Sequence, residues 1–205
     1  MGLSGDNAVV IALASRRLPA NQQRKAIILG TVGAIVLRVI LTAVAVYLLK
    51  IPFLQVVGGV LLIWIAVKLL SDEDCEEDIC ESANIWEAIK TIIVADFIMS
   101  LDNVLGVAGA AHGDIWLLVL GLAISIPIIA AGSSIIMKLM ERLPILVHAG
   151  AAILGWTAGQ MIIEDKFIHQ ILNSAVLTKA FPLALAAGVV VVGLLRARQC
   201  RIDRA

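Results

Sequence analysis

Six side chains could do chemistry in this otherwise apolar chain. Asp6 and Asn7 form one pair; Asp102 and Asn103 form a second 96 residues later, with Asp96 and Ser100 just ahead of it. The pairs sit in similar surroundings, Ser4-Gly5-Asp6-Asn7-Ala8-Val9 and Ser100-Leu101-Asp102-Asn103-Val104-Leu105. Every ligand atom in the set is an oxygen: carboxylate, amide carbonyl or hydroxyl. Such donors suit hard cations, Mg²⁺, Ca²⁺ or Mn²⁺. No His or Cys lies near these positions, which argues against a dedicated zinc or copper site. Carboxylates at membrane depth are costly and are functional by default, and they could also carry protons, so metal–proton exchange is chemically available.

The elements that must position these residues are membrane spans. Of 205 residues, 60% are hydrophobic and 16% charged, and the mean hydropathy is +0.99. Soluble domains are nearer 45–50% apolar on average. The apolar runs approach the length of about 20 residues that crosses a bilayer. They predict an all-α polytopic membrane protein with seven transmembrane helices, at about Met1–Ser15, Ala26–Leu49, Pro52–Leu70, Trp86–Ala111, Ile115–Met140, Pro144–Ile163 and Lys179–Leu195. Pro52 and Pro144 suit first helical turns, where a missing N–H costs nothing. The first span is short for a crossing, so either its start lies upstream of Met1 or the chain is truncated. Three cysteines, Cys75, Cys80 and Cys200, are too few for a disulfide framework. No nucleic-acid partner is expected; the partners are the lipid bilayer and a divalent ion.

Charge placement gives an orientation. Twelve Lys/Arg fall on one side of the predicted spans, in Arg16–Lys25, at Lys68, Lys90, Lys138 and Arg142, and in the C-terminal tail; Lys50, Lys166 and Lys179 fall on the other. The excess of positive charge marks the cytoplasm, so the N-terminus is expected outside and the C-terminus inside.

The two Asp-Asn pairs begin a longer match. Gly30 aligns with Gly121, Pro52-Phe53-Leu54 with Pro144-Ile145-Leu146, Gly58 with Gly150, and Trp64 with Trp156. The repeating unit holds three spans, and an odd number turns the second copy upside down. Inverted repeats are a recurring plan of secondary transporters, whose site lies near the midplane where the halves meet. The expected organisation is a first three-helix repeat over 1–71, an acidic cytoplasmic linker over 72–85, a second, inverted repeat over 86–164, and a seventh helix with a basic tail over 165–205. The linker carries seven acids between Asp72 and Glu81 and reads as solvated and disordered.

Within the fourth span Asp96, Ser100 and Asn103 fall at i, i+4 and i+7, one helical stripe. Asp102 points elsewhere, so either it or Asn103 faces a neighbouring helix, or the backbone is broken there; Gly5 makes a break plausible at the first pair. Arg38, near the middle of the second span, needs a counter-charge, and Asp6, Asp96 or Asp102 is expected to supply it. Thr31, Thr42 and Gln160 read as packing groups, and His112, His148 and His169 as surface residues.

Ser4–Ala14, Ser100–Leu105 and Gly155-Trp156-Thr157-Ala158-Gly159-Gln160-Met161-Ile162 resemble the TerC family of integral membrane proteins, nearest its YjbE/YkoY-type branch, over nearly the whole chain. The resemblance implies seven helices, an inverted three-plus-three repeat shared with the LysE superfamily, a bacterial inner or plasma membrane location and manganese export, with tellurite resistance a looser association. Its acidic membrane positions map onto Asp6, Asp96 and Asp102, with Asn7 and Asn103 beside them; a further family acid falls one place before Met1. The expected function is Mn²⁺ efflux, with Mn²⁺ as cargo and no resident cofactor; Ca²⁺ takes the same ligands. Two other readings stay open: an assembly partner recruiting proteins through the acidic loop, and an intramembrane aspartyl enzyme. The chain lacks a Gly-x-Gly-Asp motif, so an enzyme is not expected.

Overall fold

In the computed structural model the described residues are 5–48, 51–75, 84–110, 115–165, 167–168 and 175–202. They are helical apart from short connections. In chain order the helices are α1 (Gly5–Ser15), α2 (Ala20–Leu48), α3 (Leu54–Cys75), α4 (Ile85–Ala110), α5 (Ile115–Arg142), α6 (Ile145–Glu164) and α7 (Ala175–Ile202). Among the described residues the seven expected spans are seven helices, with shifted ends. The predicted loop Arg16–Lys25 shrinks to the turn 16–19, because helix-favouring Gln22, Gln23, Arg24 and Lys25 extend α2. Asp72–Cys75, expected as disordered linker, continues α3. Residues 76–83, with Cys80, and also His112 and His169 lie outside the described residues.

Among the described residues two stretches are long and apolar enough to cross a membrane by length and composition, Ile145–Glu164 and Thr178–Leu195; Asp6–Ser15 and Leu54–Leu70 are apolar but shorter.

α1 is the axis of the molecule. Every side chain from Asn7 to Leu13 is buried, as expected of a helix apolar on all sides. It is surrounded by α2, α4, α5 and α6. α2 packs on α4 and α5, α3 on α4 and α6, and α7 lies against both α3 and α6. Exchanging α1–α3 with α4–α6 turns α2–α4 into α5–α1 and α3–α4 into α6–α1, and these four are observed, whereas α1–α2 and α5–α6 pack together without a comparable α4–α5 or α2–α3 pairing among the described residues. The pairs α1–α4, α2–α5 and α3–α6 map onto themselves and are also present.

Much of the outside is apolar too. On α2, Ile28, Val32, Val36, Ile40 and Val44 recur every fourth residue and are 39–56% exposed. Val57, Val60, Leu61 and Trp64 form a similar exposed face on α3. Contiguous exposed apolar surface on this scale marks contact with a partner or a membrane.

Close approach depends on glycine at the α6–α7 seam. A Cβ on Gly159 would sit 2.5 Å from Pro182 Cα, and one on Gly155 2.9 Å from Ala186 Cα. Pro182 lies inside α7, fully buried. The connections at one end of the bundle are joined by aromatic stacking, with the Phe53 and Phe167 rings 4.9 Å apart. Phe53 holds φ = 58° in the turn before α3, a conformation uncommon for a bulky residue.

Lys68 of α3 donates to Glu87 Oε1 of α4 and lies 5.8 Å from the Trp64 ring centroid. The two charged side chains are 37% and 59% exposed, so solvent screens the pair. Glu87→Gln is expected to change stability by less than about 1 kcal/mol; thermal unfolding in detergent, with and without added salt, measures it.

Candidate functional site

The polar interior is assembled by four helices. Arg38 of α2 reaches across to α4, where its Nη2 donates to Asp96 Oδ1 at 2.5 Å and its Nε donates to Ser100 Oγ at 2.9 Å. Ser100 Oγ in turn donates to Asp96 Oδ2 at 3.2 Å. Both carboxylate oxygens are therefore held, one by the guanidinium and one by the hydroxyl. The Arg38 and Asp96 side chains are only 9% and 11% exposed. Helix geometry makes the arrangement possible: Asp96 and Ser100, four apart, present adjacent side chains to one partner.

A small cavity opens beside this cluster. Asn7 of α1, Thr31 and Arg38 of α2, Asp96 of α4 and Ile129 of α5 all line it. About 20 Å³ is open to the centre of a water-sized group, more than the ~10–15 Å³ that one water needs.

The expected site residues thus divide. Asp96, Ser100 and Arg38 form one network, and Asn7 shares the cavity with Asp96 and Arg38. Among the described side chains, Asp96 supplies the counter-charge expected for Arg38. Asp6 does not line the cavity; it is turned toward α6, where Thr157 Oγ1 donates to its Oδ2 at 3.3 Å. Asp6 and Asn7, adjacent in sequence, consequently serve different neighbours. Among the described residues no three His, Cys, Asp or Glu side chains converge. α4 runs unbroken from Ile85 to Ala110, so the backbone break considered at Asp102 does not occur: the ordinary helical ladder satisfies the peptide groups there. The side chains of Asp102 and Asn103 lie outside the described residues.

Two residues escape a reading by polarity alone. Thr157 lies inside the Gly155–Ile162 motif and touches Asp6. Thr31, expected as a packing group, is 2% exposed and lines the cavity. Its signal is in the spacing: Thr31, Ala34 and Arg38 fall at i, i+3 and i+7, one face of α2.

A bundle with an apolar exterior and a salt-bridged polar centre is the signature of an integral membrane protein. Residues 1–201 match the model of the family described as "Integral membrane protein TerC family", and the chain belongs to that family. It is 51% identical over 164 residues to the uncharacterized membrane protein YjbE of Bacillus subtilis (strain 168), covering 80% of this chain and 75% of that one. It is 24% identical over 199 residues to the uncharacterized membrane protein YkoY of the same organism, covering 82% of this chain and 61% of YkoY. The inner membrane protein YgdQ (UPF0053) of Escherichia coli (strain K12) is 27% identical over 183 residues, covering 80% and 76%. No solved structure matches the chain.

Proposed function

We propose that this protein is a metal-ion exporter of the bacterial inner or plasma membrane, moving Mn²⁺ outward through an Asp/Asn site between two inverted three-helix repeats. The observation that carries the reading is the buried Arg38–Asp96–Ser100 network beside a cavity shared by α1, α2, α4 and α5. These helices come from both halves of the chain, where an inverted-repeat transporter keeps its site. The partial exchange regularity among the helix pairs supports the repeat, and the apolar faces of α2 and α3 support spans beyond the two most evident ones. On this reading all seven helices cross, and the N-terminus lies outside.

The chemistry follows from the pairing. Asp96 already carries a bound cation, the Arg38 guanidinium. A divalent ion that takes this carboxylate must compete with Arg38 for its oxygens, and where it displaces the guanidinium, loading the site and freeing the arginine are one event. That is the behaviour of an exchanger with two states. Among the described residues Asp96 faces a guanidinium rather than a second carboxyl, an arrangement that favours ion handling over an aspartyl dyad sharing one proton. Asp6, Asp102 and Asn103 would complete the route on either side, Asp102 lying about 9 Å along α4 from Asp96 at 1.5 Å per residue.

Manganese accumulation tests the proposal. Cells producing the full-length protein are expected to hold several-fold less Mn²⁺ than cells without it, and Asp6→Asn and Asp102→Ala are each expected to abolish that difference while the protein still reaches the membrane. Undiminished export by Asp102→Ala would remove the shared site from consideration.

A further inference from the structure

Thr31 is a buried polar group that the network leaves out. It is 2% exposed, and its Oγ1 has no hydrogen-bond partner among the described residues. A helical threonine can satisfy its hydroxyl on the carbonyl three or four residues back; this one does not. A buried hydroxyl without a partner is unfavourable, and valine would fill the same volume without that cost. The cavity gives the hydroxyl somewhere to act. Thr31 lines it with Asn7, Asp96 and Arg38, between the apolar walls of Ile92 and Ile129, and the space admits a water-sized group.

The groups available there are a hydroxyl, an amide and a carboxylate, a hard-oxygen set, with one positive charge already opposite the carboxylate. We propose that Thr31 Oγ1 is a ligand of the transported divalent cation, directly or through one water, in the cavity it shares with Asp96 and Asn7. The proposal rests on the transport reading above and adds to it a residue outside the Asp-Asn motifs. It also gives the site its asymmetry: Thr31 and Arg38 share one face of α2, so the hydroxyl receives the ion on the same wall from which the guanidinium withdraws.

The test is Mn²⁺ flux into liposomes holding the purified full-length protein, measured against Mn²⁺ concentration, for wild type, Thr31→Val and Thr31→Ser. Thr31→Val is expected to raise the KM for Mn²⁺ by about 10- to 100-fold, the loss typical of removing a group that supports a metal, with the amount of folded protein and the limiting rate little changed. Thr31→Ser, which keeps the oxygen, is expected to stay near wild type. Thr31→Ala, which crowds nothing, repeats the measurement should valine disturb the packing. Mn²⁺-dependent thermal stabilisation in detergent provides a readout independent of flux, and it should fall in the valine variant and persist in the serine one. A KM and a thermal shift unchanged in Thr31→Val and Thr31→Ala overturn the assignment and leave Thr31 a partner of buried water only. A wild-type protein that is neither stabilised by Mn²⁺ nor able to move it overturns the transport reading together with this one.

Discussion

Asp96→Ala is expected to destabilise the protein by about 3–5 kcal/mol, the typical cost of removing one member of a buried ion pair. The other member is Arg38, 8% exposed as a residue and held at 2.5 Å by Asp96 Oδ1. The Ser100 hydroxyl that accepts from Arg38 Nε does not replace the lost carboxylate charge. The pair itself need not be a net source of stability, because both ions were desolvated to make it. Replacing both by apolar residues of similar volume, Arg38→Met with Asp96→Leu, is therefore expected to be near neutral, or stabilising by up to about 4 kcal/mol. Thermal unfolding of the wild type, Arg38→Met, Asp96→Leu and the double variant in one detergent gives the coupling energy. The double variant should be folded and inactive in Mn²⁺ export, which separates the role of the pair in transport from its role in folding. An Asp96→Ala protein that melts with the wild type would mean that the arginine finds another counter-charge or reaches water.

Gly159→Val is expected to lift α7 from the bundle. The added Cβ would meet Pro182 Cα at 2.5 Å and Pro182 Cβ at 3.0 Å. Backbone atoms cannot rotate away as a side-chain end can, so the helices must separate. Overpacking of this kind typically costs about 1–3 kcal/mol, and losing contact along the seam adds to it because a Cβ on Gly155 would also lie close to α7, 2.9 Å from Ala186 Cα and 3.1 Å from Leu185 O. Gly188→Ala is the matched control. A Cβ there meets nothing within 4 Å, and alanine favours a helix over glycine by up to about 1 kcal/mol. Limited proteolysis of the connection before α7, together with thermal unfolding, should show a large effect for Gly159→Val and none or a slight gain for Gly188→Ala. Equal behaviour of the two variants would mean that the α6–α7 seam does not hold the seventh helix.

Hydropathy made the helices visible in the sequence but not their ends. The apolar run opening near Ala26 marks where α2 becomes lipid-like, whereas the helix itself begins at Ala20. A helix continues into water wherever its residues favour it, and hydropathy registers the solvent rather than the backbone. The same reason carries α3 through Asp72–Cys75 and α7 out to Ala175 and Ile202. Of the site, the i, i+4 relation of Asp96 and Ser100 was readable, as was the need of Arg38 for an acid. Which acid answered it was not, because three candidates on two helices differ only in packing. Asp6 and Asn7 show the limit most clearly. Their motif suggests one joint role, yet a turn of about 100° per residue sends one toward Thr157 and the other toward the cavity. Thr31 was hidden by its type: a threonine in an apolar helix draws notice only once the space beside it is known.

Arg38 and Asp96 lie 58 residues apart, and the ribosome makes the arginine first. On the topology proposed here, α2 enters the bilayer with a positive charge near its middle, at a cost of about 2.5–3.5 kcal/mol on insertion scales. Its partner does not yet exist. At about 5–20 residues per second, Asp96 is synthesised roughly 3–12 seconds later. During that interval the nascent chain must shelter the guanidinium by sliding α2 toward the headgroups, drawing in water or keeping α2 beside the insertion machinery. On that topology the salt bridge is also a late step of biogenesis, closed only once the second half of the chain has been made.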